Sequence, residues 1–220
     1  MIRHLRRVSF AAVLLIAAFV PAGTAYAMDE DMREPVIVAL GDSLTAGLGL
    51  PEKDAFPAQL EQALRARGQK VRVVNAGVSG DTAAAGLARL DWSVPDDASA
   101  VIVELGANDA LMGLDPAATK AALDKIITAI QAKGLPILLA GMEAPRNMGK
   151  DYVEAYGAMY QDLADRYGVI LYPFFLDGVA LDDKLTFQDG MHPNAKGVAH
   201  IVEGILPKVE ELLARVEAKS

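Results

Sequence analysis

Ser43 closes the run Val36-Ile-Val-Ala-Leu-Gly-Asp-Ser, in which five apolar residues give way abruptly to Gly41-Asp42-Ser43. In an open parallel α/β sheet, ligands bind outside the carboxyl ends of the strands. A hydroxyl there is placed to act as a nucleophile when a base and oxyanion donors lie nearby. Beyond residue 27 the chain holds two histidines, His192 and His200. His200 falls within the helical run Val198-Ala-His-Ile-Val202 and reads as an ordinary helix side chain. His192 falls in the polar turn Asp189-Gly-Met-His-Pro-Asn194, where Pro193 steers it away from helical geometry. Asp189, three residues earlier, can accept from the imidazole, fix its tautomer and stabilise the imidazolium that forms when Ser43 loses its proton. The spacing alone leaves open a turn in which Asp189 only caps and His192 is a surface residue.

Acyl transfer also needs N–H donors aimed at the developing oxyanion. The candidates are the backbone N–H groups of Ser43 and Gly77 and the side-chain amide of Asn108. Glycine lets the chain approach a substrate closely. Taken singly, Gly77 reads as a tight turn and Asn108 as a loop cap; beside Ser43 and His192 they gain weight. Asp42 and Asp109 are assigned to holding loops through backbone N–H groups. Asp42, Asp109, Asp189 and His192 show no tight ligand spacing, so a metal site is not expected. Leu111, Met112, Met142 and Met148 are placed in loops and are candidates for lining an apolar acyl groove, methionine adapting to varied chains. Packing onto the core explains them equally well.

The elements that must position these residues alternate. Strands are predicted at Val36–Leu40, Val71–Asn75, Ala100–Leu105, Pro136–Ala140 and Val169–Tyr172. Helices are predicted at Phe56–Arg67, from Asp81 or Thr82 through Leu90, at Pro116–Lys133 capped by Asp115, at Tyr152–Tyr167, and from Asn194 onward with a kink or restart at Pro207. Such alternation predicts a parallel sheet covered on both faces, an α/β fold. The loops after the first three strands then share one sheet edge, and the turn at His192 joins them if the last helix packs back across the sheet.

The start of the chain reads as an export signal. Arg3, His4, Arg6 and Arg7 precede the apolar run from Phe10 to Val20, Pro21 and Gly23 break it, and Ala25-Tyr-Ala27 fits a small-x-small cleavage site. The run is short for a membrane anchor. Cleavage after Ala27 leaves residues 28–220, about 190 residues, as one domain, periplasmic or secreted. That body has 18 basic against 29 acidic side chains, net −11, which argues against nucleic acid or anionic membrane as partner. There is no cysteine, hence no disulfide, no thiolate nucleophile and no lipid anchor on a cysteine.

Gly41-Asp-Ser-Leu44, Gly77, Gly106-x-Asn108-Asp109 and Asp189-x-x-His192 resemble, in order and approximate spacing, the four blocks of the SGNH (GDSL) hydrolases, over essentially all of residues 28–220. Asn75-Ala-Gly-Val-Ser-Gly-Asp-Thr82, Gly86-Leu-Ala-Arg-Leu90, Val103-Glu-Leu-Gly-Ala-Asn-Asp109 and Tyr172-Pro-Phe-Phe175 are similar to the periplasmic acyl-CoA thioesterase I / lysophospholipase L1 / arylesterase subgroup. The resemblance implies a three-layer α/β/α, flavodoxin-like fold with five parallel strands. It implies Ser43 as nucleophile, His192 as base and Asp189 as its orienting acid. The oxyanion hole it implies is Ser43 N–H, Gly77 N–H and the Asn108 side chain. Esters and thioesters, including aryl esters, acyl thioesters and lysophospholipids, are the implied substrates, with no cofactor, and a monomer is expected. One alternative is an acetylesterase acting on polysaccharide or cell-wall O-acetyl groups, disfavoured by the single tryptophan, Trp92, where sugar stacking calls for exposed aromatics. The other, a non-catalytic exported binding domain, would have a broken block, and none is broken.

Overall fold

Five short segments, most of them aliphatic runs driven out of water, build the sheet. In the computed structural model, which describes residues 34–219, they are β1 Val36–Gly41, β2 Arg72–Gly77, β3 Ala100–Glu104, β4 Ile137–Ala140 and β5 Ile170–Tyr172. The export signal and its cleavage after Ala27 lie outside the described residues. All neighbouring strands pair in parallel, in the order β2-β1-β3-β4-β5. This is the doubly wound flavodoxin-like order, and its switch point, where ligands bind, lies between β1 and β3. β1, β3 and β4 are buried along their whole length, as expected of strands covered on both faces.

The helices are α1 Ser43–Ala46, α2 Phe56–Ala66, α3 Ala83–Ala88, α4 Leu90–Ser93, α5 Ala107–Leu111, α6 Pro116–Ala132, α7 Lys150–Tyr167 and α8 Ala195–Glu217. α2 packs with α8, and α6 packs with α3 and α7, giving the two outer layers. Capping explains the starts. Asp115 accepts from Ala117 N–H at 2.9 Å with Pro116 in the first turn of α6. Thr82 accepts from Ala85 N–H at 3.2 Å to open α3. Asn194 accepts from Lys196 and Gly197 N–H to open α8.

Two helix expectations need correction. α8 does not restart at Pro207. Ile205, Leu206, Val209 and Leu212 are buried on both sides of the proline, so packing of the apolar stripe outweighs the one missing N–H. The helix expected to reach Leu90 ends at Ala88, and α4 begins anew at Leu90. Arg89 leaves helical geometry between them (φ −107°, ψ 6°) and sends its guanidinium inward. Among the described residues, no helix is long and apolar enough to cross a membrane.

Candidate active site

β1 delivers Ser43 to the sheet edge, where it opens the one-turn helix α1. Asp42 caps that turn, its Oδ1 accepting from Leu44 N–H at 2.9 Å. Ser43 is nearly buried, and its Oγ lies 2.9 Å from His192 Nε2. His192 Nδ1 lies 2.7 Å from Asp189 Oδ2. A carboxylate only accepts, so Nδ1 carries the hydrogen and Nε2 offers its lone pair to the serine hydroxyl. Asp189 Oδ1 accepts from the N–H groups of Met191 and His192 at 2.9 and 3.0 Å. Those two backbone bonds, with the imidazole third, hold the Asp189 carboxyl down at about 2. Asn194 links this turn to α8. Its Oδ1 caps the helix while its Nδ2 donates to Lys184 O and Thr186 O. His200 is exposed on α8, its ring beside Gly178.

Asn108 Nδ2 donates to Asp42 Oδ2 at 3.0 Å and to Asp81 O at 2.9 Å, so both amide hydrogens are given within the protein. Gly77 N–H donates to Asn75 Oδ1 at 3.0 Å. Ser43 N–H stands first in α1, where a helix supplies no acceptor. Gly77 has no room for a side chain: a Cβ there would sit 2.3 Å from Ala46 N and 2.8 Å from Asp42 O. Asp109 holds loops as expected, accepting from Ala83 N–H at 2.9 Å and from the Thr119 hydroxyl at 3.0 Å. Asp42 does more than cap. It is fully buried, and burial pushes its carboxyl up to about 6 against the pull of the Leu44 N–H. Among the described residues, no group of three His, Cys, Asp or Glu is disposed to hold a metal ion.

A match to the family model of GDSL-like lipases and acylhydrolases spans residues 39–200, from within β1 to His200. The chain belongs to the GDSL-like lipase/acylhydrolase family. It is similar to the arylesterase of Vibrio mimicus, 38% identical over 171 residues that cover 76% of this chain and 84% of that one. It is also similar to thioesterase 1/protease 1/lysophospholipase L1 of Escherichia coli K12, 36% identical over 178 residues, 80% of this chain and 84% of that one. Among solved structures, that of TesA superposes with a TM-score of 0.77 at 36% identity, covering 80% of this chain and 99% of that one.

Three features of this GDSL-like hydrolase had not been singled out from the sequence. The Arg89 guanidinium donates to Gly41 O and Ala76 O, both at 2.8 Å, and to Asp81, tying the ends of β1 and β2 together. Tyr156 and Tyr160 donate to Gly106 O and Leu105 O, pinning the exit of β3. Glu104 is fully buried at the end of β3. Glu104 did leave a signal, a charge ending the otherwise apolar run Ala100-Val-Ile-Val103. Arg89 and the tyrosines fit ordinary helix patterns and left none.

The proposed acyl-groove residues divide. Leu111 and Met112 are 52% and 62% exposed, at the end of α5 rather than in a loop. Met148 is half-buried, its Cε close to Gly113. Met142 is a correction: it is 2% exposed and belongs to the core, so it lines no open groove. The cause is that the ladder runs on past β4. Gly141 N–H donates to Tyr172 O and Phe175 N–H to Gly141 O, each at 2.8 Å, which keeps the chain inside the fold as far as Met142. Other large apolar side chains flank the candidate residues in sequence while remaining exposed: Leu48, Val78, Phe187 and Met191.

Proposed function

We propose that this chain is an exported serine esterase that hydrolyses carboxylic esters and thioesters through an acyl-enzyme on Ser43. The observation that carries the reading is the continuous relay from Ser43 Oγ to His192 Nε2 at 2.9 Å and from His192 Nδ1 to Asp189 at 2.7 Å. In the first half-reaction His192 takes the hydroxyl proton as Ser43 Oγ bonds to the carbonyl carbon. The carbonyl oxygen becomes the oxyanion, facing Ser43 N–H, Gly77 N–H and the Asn108 amide. Collapse expels the alcohol or thiol, which leaves with the proton from His192. Water then attacks the acyl-enzyme by the same proton path and frees the acid. Asp189, an anion at every working pH, orients the imidazole and stabilises its protonated form. Family membership and the arylesterase and thioesterase relatives support the reaction class. The exposed aliphatic and thioether side chains Leu111, Met112 and Met191 favour an apolar acyl group over a sugar ester. The basic start and short apolar run of the N-terminus support export.

The test is hydrolysis of p-nitrophenyl esters from acetate to palmitate and of acyl-CoA thioesters, with Ser43→Ala as control. Turnover should extend to medium and long chains and vanish in the variant. Activity confined to acetate would favour an O-acetyl ester substrate, and activity that survives Ser43→Ala would overturn the reading. A second expectation follows from the packing at Gly77. Gly77→Ala should lower kcat/KM by about 10²-fold while circular dichroism stays native, because the methyl group pushes the Ser43 turn off line. Wild-type turnover in Gly77→Ala would remove Gly77 from the site.

A further inference from the structure

Beneath the nucleophile lies an oxygen with no hydrogen-bond partner, Glu104 Oε1. Its carboxyl ends β3 and is fully buried. The second oxygen, Oε2, accepts from the Thr45 hydroxyl at 2.7 Å and, at longer range, from Asp42 N–H at 3.4 Å. These two residues stand on either side of Ser43 and are themselves fully buried. The fold leaves space for the arrangement only because residue 41 is glycine: a Cβ there would lie 2.6 Å from Glu104 Oε2 and 2.1 Å from Thr45 Oγ1.

We propose that Glu104 is a positioning residue for the nucleophile, gripping the backbone before Ser43 and the side chain after it so that Oγ stays in line with His192. The proposal deepens the serine-esterase reading and rests on it. The Gly41-Asp42 bend joins β1 to α1, and Arg89 and Asn108 hold Gly41 O and the Asp42 side chain while leaving the Asp42 N–H and the Thr45 side chain some freedom. A side chain reaching across from the neighbouring strand removes that freedom, and β3 is fixed in turn by the tyrosine bonds to Leu105 O and Gly106 O.

The chemistry explains why an acid serves here without spoiling the site. Burial, and next the charge of Asp42, push the Glu104 carboxyl well above the usual range, toward its neutral form. Oε2 accepts from both flanks, and Oε1 is the oxygen left without a partner. The neutral form adds no second negative charge behind Asp42. An amide of the same shape should therefore replace it, and an alkyl group should not.

Steady-state kinetics of the full chain on a p-nitrophenyl ester test this with Glu104→Gln, Glu104→Leu and Thr45→Val. Glu104→Gln should keep kcat within about threefold. Glu104→Leu should lower kcat by about 10²-fold, with KM changed less than about twofold, since misplacing a nucleophile costs rate rather than binding. Thr45→Val, which deletes the 2.7 Å bond alone, should lower kcat by about tenfold and reads the same contact should the leucine variant not fold. A Thr45→Val or folded Glu104→Leu enzyme with wild-type kcat overturns the proposal, as does a loss carried by KM or a Glu104→Gln enzyme as impaired as Glu104→Leu. A wild-type chain without esterase activity overturns this proposal together with the esterase reading, whereas an active wild type with indifferent variants overturns this proposal alone.

Discussion

Ser43→Ala and His192→Ala should each lower kcat for ester hydrolysis by about 10⁶-fold, and the double variant should be no slower than either. The absence of additivity is the informative part. Ser43 Oγ and His192 Nε2 share one proton across 2.9 Å. Without the base the hydroxyl is a weak nucleophile, and without the hydroxyl the base has nothing to activate. Asp189→Ala should cost less, about 10⁴-fold, because the imidazole still reaches Ser43 but loses its fixed tautomer. Burst and steady-state rates on a p-nitrophenyl ester, taken over a range of pH, check all three. Asp189 is held at about 2, below its ordinary 3.8, so it stays ionised and adds no inflection to the acidic limb above about pH 3. Losses that multiply in the double variant would mean that Ser43 and His192 act independently, and the relay would have to be abandoned.

How much of this was legible beforehand depended on how local each cause is. The strands were readable because β1, β3 and β4 are aliphatic along nearly their whole length. β2 ran two residues past expectation, to Gly77, because β1 runs to Gly41 and the two glycines are register partners. Nothing in Asn75-Ala-Gly77 itself asks for a strand. The helices α1 and α5, of four and five residues, are too short to form alone and exist because tertiary bonds hold them. Ser43 and Asn108 were therefore placed in loops although each lies in such a turn. The choice of His192 over His200 was local, resting on Pro193 and Asp189. The burial of Met142 and the inward turn of Arg89 were not, since both depend on strands and loops far away in sequence.

Asn108→Ala should lower kcat by about 10²–10³-fold and leave KM within about threefold. The resting structure makes this a demanding expectation, since neither amide hydrogen is unoccupied. The two acceptors differ. Asp42 Oδ2 belongs to a carboxylate above about pH 6 and grips its hydrogen strongly, whereas Asp81 O is a neutral carbonyl. On the proposed reading, the hydrogen on Asp81 O is the one that turns to the developing oxyanion, while the Asp42 bond keeps the amide aimed. The exchange favours the charged transition state over the neutral ester, so its loss falls on kcat. Removing the amide also takes a donor from ionised Asp42, which shifts that carboxyl further upward. Because its folded value of about 6 already exceeds the ordinary 3.8, the native state holds an extra proton between those values, and stability falls as pH rises through that window. In Asn108→Ala the window should extend to higher pH, seen as a thermal midpoint that keeps falling above pH 6. A variant that raises KM at constant kcat, with an unchanged pH profile of stability, would make Asn108 a ground-state contact and leave the oxyanion to Ser43 and Gly77.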